Sequence, residues 1–106
     1  MLWVVTGASG HIGANLVRLL LQHGESVRAV VHRNTVALEG MSPEKVFGDV
    51  CDVESLEKAF RNADVVVNLA GRISIARHAE REVNRVNVVG TGNVVEAARQ
   101  CSVRRL

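Results

Sequence analysis

At 106 residues and 47% hydrophobic content, the chain has the size and composition of one small globular domain. Its formal charge of +2 comes mostly from scattered arginines without interleaved aromatics, which argues against a nucleic-acid reader, and no apolar run approaches the ~20 residues that cross a bilayer. Aromatic content of 3% with no tyrosine implies an aliphatic core, and Cys51 and Cys101 form neither a CxxC pair nor a Cys/His cluster, which argues against zinc and suits a reducing cytoplasm.

Leu2-Trp3-Val4-Val5-Thr6 is a short apolar run ending in a glycine turn, the pattern of a strand buried on both faces. Because this run already reads as strand, the chain is expected to open on the fold and not on a signal peptide. Positions Ile12, Leu16, Leu19, Leu20 and His23, widened by Val17 and Leu21, have helical spacing, and Gly24 stands where a helix ends on a glycine. Ser26 to His32 is a second strand rich in β-branched residues. Asn34 to Ser42 is irregular, marked as loop by Gly40 and Pro43. Lys45-Val46-Phe47 is a third strand that leads into Gly48-Asp49-Val50.

Asp52 is predicted as the N-cap of a helix, with Glu54 in its first turn and Val53, Leu56, Phe60 and Ala63 on its buried face. Asp64 to Ala70 is a fourth strand. Val83, Val86, Gly90, Val94, Ala97, Ala98 and Cys101 form one long helical stripe, and Ser102 to Leu106 looks like the approach to a fifth strand. Strands alternating with helices predict an α/β fold whose parallel sheet has right-handed crossovers.

The strongest chemical signal is Thr6-Gly7-Ala8-Ser9-Gly10-His11-Ile12-Gly13. Gly7 lets the chain leave the strand sharply, Gly10 lets the backbone approach a diphosphate, and Gly13 lets the new helix pack close to the strand. The helix N-terminus then offers N–H groups and a positive dipole end to the phosphates. A lone Gly-x-x-Gly-x-x-Gly is weak, but this one follows a buried strand and opens an amphipathic helix. It predicts a Rossmann-type dinucleotide site, with a purely structural turn as the competing reading.

The Thr6-Gly-x-x-Gly-x-x-Gly13 spacing resembles that of the short-chain dehydrogenase/reductase superfamily, and three further segments resemble its extended, epimerase/dehydratase branch. Gly48-Asp49-Val50-x-Asp52 is similar to the segment where an Asp and its successor contact adenine. Asn68-Leu69-Ala70-Gly71 is similar to the strand-4 segment lining the cofactor cleft. The run from Val86 to Ala98 is similar to that branch's Asn-Val-x-Gly-Thr-x-Asn-Val-x-Glu-Ala helix. Ala70 to Ile75 is most similar to the dihydroflavonol-4-reductase-like subgroup.

The resemblance implies sheet order 3-2-1-4, incomplete at four strands. It implies cofactor contacts at Thr6, Gly7, Ser9, Gly10, His11, Ile12, Gly13, His32, Arg33, Asp49, Val50, Leu69, Ala70 and Gly71. Asp49 as a loop-capping acid and Arg33 as a solvated surface residue are the competing readings. Asn87 is similar to a family asparagine near the catalytic residues, or it bonds local backbone. His11 lies over the diphosphate or merely packs. Gly90 and Gly92 sit inside a helical stripe, where close helix–sheet packing explains them better than a second phosphate loop does.

At the end of the second strand stand His32 and Arg33, and no acid is expected nearby. An acid there accepts from the ribose hydroxyls of NAD, whereas an arginine pairs with the 2′-phosphate of NADP. NADP is therefore favoured over NAD. The resembling family uses Ser with Tyr-x-x-x-Lys for proton exchange during hydride transfer. With no tyrosine, and with Lys45 and Lys58 too early, residues 1–106 read as the N-terminal part of one NAD(P)-binding domain without catalytic residues.

Small-molecule substrate would then belong to the full-length parent, a carbonyl or dihydroflavonol-type reductase. The alternatives are a nucleotide-sugar epimerase or dehydratase with tightly held NAD, and a non-catalytic NADP-sensing regulator. An uncovered edge on strand 4 would invite self-association. Neither a nucleic acid nor a membrane is expected as partner.

Overall fold

A computed structural model describes residues 1–32, 38–70 and 85–106. Strand β1 (Leu2–Thr6) is followed by α1 (His11–Gln22), β2 (Ser26–Val31), β3 (Glu44–Phe47), α2 (Val53–Ala59) and β4 (Val65–Asn68). A π-helical turn over Arg85–Val89 then runs directly into α3 (Gly90–Gln100). The sheet has order β3-β2-β1-β4, as expected, and every pairing is parallel. Val4 sits opposite Arg28 on one side and Val66 on the other, which places β1 in the interior of the sheet. Arg105 forms an isolated parallel bridge to Val65, and the Val66 N–H donates to the Arg105 carbonyl at 2.9 Å. The approach to a fifth strand thus reaches β4 and covers the start of its outer edge.

Successive strand residues point to opposite faces, so each interior strand needs apolar residues at every position. Val4, Val30 and Val66 pack with Leu56, Ala59 and Phe60 of the α2 region and with Val94, Ala97 and Ala98 of α3. Val5, Val27 and Ala29 pack on the other face with Ala14, Val17 and Leu20 of α1, joined by Leu38. Two aliphatic layers therefore hold one sheet between helices.

The helices show where periodicity alone goes astray. The buried stripe of α1 is Gly13, Ala14, Val17 and Leu20, whereas Ile12 is 69% and Leu19 51% exposed. The expected stripe is rotated towards solvent because its six apolar positions cover more than one face of a helix. Gly24 ends α1 as expected, at φ +77°, with its N–H donating to Leu21 O and that of Glu25 to Leu20 O. Asp52 is the N-cap of α2, its Oδ1 accepting from the amides of Glu54 and Ser55. β2 stops at Val31, one residue short of expectation, and β4 is trimmed to Val65–Asn68. Gly90 of α3 is buried against Val50, but a Cβ on Gly92 would meet nothing within 4 Å, so close packing explains Gly90 and not Gly92.

Arg28, one of the scattered arginines, has a structural task. Its Nη1 donates to the carbonyls of Ala59 and Arg61 at 2.8 and 2.7 Å, closing the C-terminal end of α2, while Nε bonds Glu44 across β2 and β3. Among the described residues no helix is long and apolar enough to cross a membrane.

Candidate dinucleotide-binding site

The chain proceeds from β1 outward through β2 to β3 and then returns to the other side of β1 for β4. A reversal of this kind opens a crevice above the carboxyl ends of the two strands it separates. The glycine turn leaves β1 at that point. Gly7 has φ +67°, and a Cβ there would stand 2.6 Å from the Leu69 carbonyl carbon and 2.7 Å from the Ala70 nitrogen. A Cβ on Gly13 would collide with the Gly7 carbonyl oxygen and stand 2.9 Å from Ala8 Cα. The turn is therefore pressed against the end of β4 on one side and against α1 on the other.

Thr6 staples the two strand ends. Its hydroxyl donates to Asn68 Oδ1 at 2.5 Å and accepts from the Ala70 N–H at 3.4 Å, and its carbonyl accepts from the Leu69 N–H at 3.2 Å. Thr6 is only 1% exposed, so its side chain shapes the crevice from within the protein. Asn68, part of the strand-4 motif but not among the expected cofactor contacts, is the partner that makes this possible.

The two described helix starts that border the strand ends are finished differently. α2 has its Asp52 cap and the acid Glu54 in its first turn. α1 has Gly10 as its N-cap residue, with no side-chain cap and no acid in its first turn. The first intrahelical bond runs from the Ala14 N–H to Gly10 O at 2.9 Å, which leaves the preceding amides of His11, Ile12 and Gly13 without i−4 partners. Ser9 is half-buried, and Gly10, His11 and Ile12 are exposed. A Cβ on Gly10 would meet only Gly7 O, at 3.3 Å, so the position is otherwise open to an approaching group. Free amides, a positive dipole end and no competing carboxylate fit an anionic diphosphate.

Residues 3–106 match the NAD-dependent epimerase/dehydratase family. The chain belongs to that family. It is 42% identical to sterol demethylase protein B of Methylococcus capsulatus, covering 100% of this chain and 33% of that protein. It is 32% identical to a putative dihydroflavonol 4-reductase of Synechocystis, covering 95% and 30% respectively. Among solved structures it resembles UDP-glucose 4-epimerase of Thermus thermophilus in complex with NAD, with a TM-score of 0.83, 29% identity and coverage of 97% of this chain and 35% of that one. The chain thus spans about a third of the length of the curated relatives it matches.

In this epimerase/dehydratase-family chain, the second cluster of candidate residues lies where β2 and β3 end. His32 Nε2 is 3.5 Å from Asp49 Oδ2, and the His32 ring is tilted against the Phe47 ring with centroids 5.9 Å apart. This corrects the expectation that no acid lies near His32. Asp49 is remote in sequence, and the parallel pairing of β2 with β3 delivers it. Asp49 also acts as the loop-capping acid, since its Oδ1 accepts from the Cys51 N–H at 2.9 Å.

Asp49 is held by residues that sequence reasoning missed. Ser55 Oγ accepts from the Asp49 N–H, and its single proton is directed to Asp52 O at 2.8 Å and shared with Asp49 O at 3.2 Å. Val50 is held by α3: Asn93 Nδ2 donates to Val50 O at 2.9 Å, and a Cβ on Gly90 would stand 2.7 Å from Val50 Cγ2. Leu69 and Ala70 contribute backbone against Gly7, with Leu69 38% exposed. Asn87 is exposed, and its carbonyl accepts from Thr91 Oγ1 at 2.6 Å. Arg33 and Gly71 lie outside the described residues.

Proposed function

We propose that this chain is the NAD(P)-binding portion of an extended short-chain oxidoreductase, a carbonyl or dihydroflavonol-type reductase working in the cytoplasm with NADPH. The observation that carries the reading is the start of α1: uncapped, free of acids, and set by Gly7 and Gly13 at the carboxyl end of a central strand. The amides of His11, Ile12 and Gly13 would hold the diphosphate, and Asp49 and Val50 would face the adenine. His32, with Arg33 following it, would meet the 2′-phosphate. When bound, the cofactor supplies the hydride. Ser and Tyr-x-x-x-Lys would belong to the remainder of a parent protein of the relatives' length, and the substrate would bind there too.

A second reading, a nucleotide-sugar epimerase or dehydratase holding NAD, is favoured by the Asp49 carboxylate beside His32. That carboxylate occupies His32 and would repel a 2′-phosphate.

Titration with NADPH and NADH tests both. Saturable binding of NADPH in preference to NADH supports the reductase reading, and the reverse order supports the epimerase reading. Gly10→Asp should abolish binding of either by placing a carboxylate at the diphosphate position. It should leave the fold intact, because Asp is itself a good N-cap. Failure of both cofactors to bind folded protein would refute the assignment.

A further inference from the structure

We propose that Asn93 is a positioning residue for the adenine end of the cofactor site, acting through the Val50 carbonyl. The proposal rests on the dinucleotide reading above and extends it to a residue on a different helix.

The loop from Gly48 to Asp52 is shaped by bonds of its own. Ser55 Oγ brackets Asp49 at 3.0 and 3.2 Å, and the Cys51 N–H reaches Asp49 Oδ1 at 2.9 Å. All of these lie within the unit formed by β3 and α2. They define the form of the loop but not its position relative to the crevice above β1. Its start is tied to β2, where the Gly48 N–H donates to Val31 O at 3.0 Å and His32 stands beside Asp49, and at Val50 its position is set by contacts from α3. Gly90 and Asn93, three residues apart, share one helix face. Gly90 receives the Val50 side chain, and Asn93 Nδ2 donates to the Val50 carbonyl at 2.9 Å. Side chain and carbonyl of one residue are thus docked at two points.

The opening of α3 is otherwise a poor helix sequence. Gly90-Thr91-Gly92-Asn93 has four residues of low helix propensity in succession. Gly90 and Asn93 are accounted for by Val50, and Thr91 by its bond to Asn87 O at 2.6 Å. Removing the Asn93 amide deprives the Val50 carbonyl of this donor and lets the loop shift. Because Asp49 directly precedes Val50, its carboxylate moves with the loop.

The test separates the two ends of the site with two probes, AMP for the adenine end and inorganic pyrophosphate for the glycine turn. Affinities are measured by titration of the folded chain, with amide shifts recorded by NMR. Asn93→Leu and the isosteric Asn93→Asp should each weaken AMP about fivefold, the scale of one lost neutral hydrogen bond, with pyrophosphate binding unchanged. Asn93→Gln, which keeps a donor, should lose less. Equal weakening of both probes, or unaltered AMP affinity in both donor-free variants, overturns the proposal. A wild-type chain that binds neither probe overturns the dinucleotide reading, and this proposal with it.

Discussion

Replacing Gly13 by alanine sets two effects of opposite sign against each other. In a helix interior, alanine is worth about 1 kcal/mol over glycine, so propensity alone predicts a more stable protein. At Gly13, however, the added methyl would collide with the Gly7 carbonyl oxygen and stand 2.9 Å from both Ala8 Cα and the Gly7 carbonyl carbon. These are backbone atoms, and no rotamer change relieves them. α1 must lift from β1, disturbing the contacts of Ala14, Val17 and Leu20. Overpacking of this kind costs about 1–3 kcal/mol, and fixed obstacles place it near the top of that range. The net expectation is destabilisation of about 2 kcal/mol, or a Tm lowered by about 10 °C for a domain of this size.

The same substitution at Gly92 is the internal control, since a Cβ there meets nothing within 4 Å. Gly92→Ala should therefore gain about 0.5–1 kcal/mol. Urea titrations followed by far-ultraviolet circular dichroism, and by the fluorescence of the single tryptophan, Trp3 of β1, measure both. Opposite signs for the two variants are required. If Gly13→Ala is as stable as the wild type, or if Gly92→Ala loses as much as it does, the close approach of α1 to the turn is not what the geometry implies.

Thr6→Val keeps the shape of the side chain but removes the hydroxyl bonded to Asn68 and Ala70, and should cost about 1–2 kcal/mol in chemical denaturation. Arg28→Met removes the donor that closes α2 and should cost about 2 kcal/mol, whereas Glu44→Gln, at a side chain 51% exposed, should cost well under half of that in the same assay. The Cys101 thiol is pushed above its ordinary value of 9.0, first by burial and then by Glu57, with Arg61 acting in the opposite sense. The folded state therefore keeps this proton longer than the unfolded chain does. Its contribution to stability is present below the ordinary thiol value and is lost as pH rises through the raised one. Alkaline urea titrations should show a shallower loss of stability in Cys101→Ala than in the wild type.

Much of the fold was legible because its signals are local. A buried strand running into a glycine turn, helical spacing after it, Asp52 with Glu54, and Gly24 at a helix end each need only a few neighbouring residues to be recognised. Strand order followed from the family resemblance of the motifs, since right-handed crossovers between parallel strands by themselves admit several orders. The errors came where a local pattern admitted several solutions. Six apolar candidates in α1 define no single face until the sheet selects one, and two glycines in α3 look alike until Val50 packs on one of them.

The sequence by itself determined that the chain winds a parallel sheet around a glycine turn suited to a dinucleotide, since spacing and residue type within each element suffice for that. Only the tertiary structure decided that Thr6 works inward as a staple, that Asp49 reaches His32, and that Asn93 holds Val50. Each of these contacts joins residues on different elements. Its existence depends on strand register and helix docking, which are set by the packing of the whole domain.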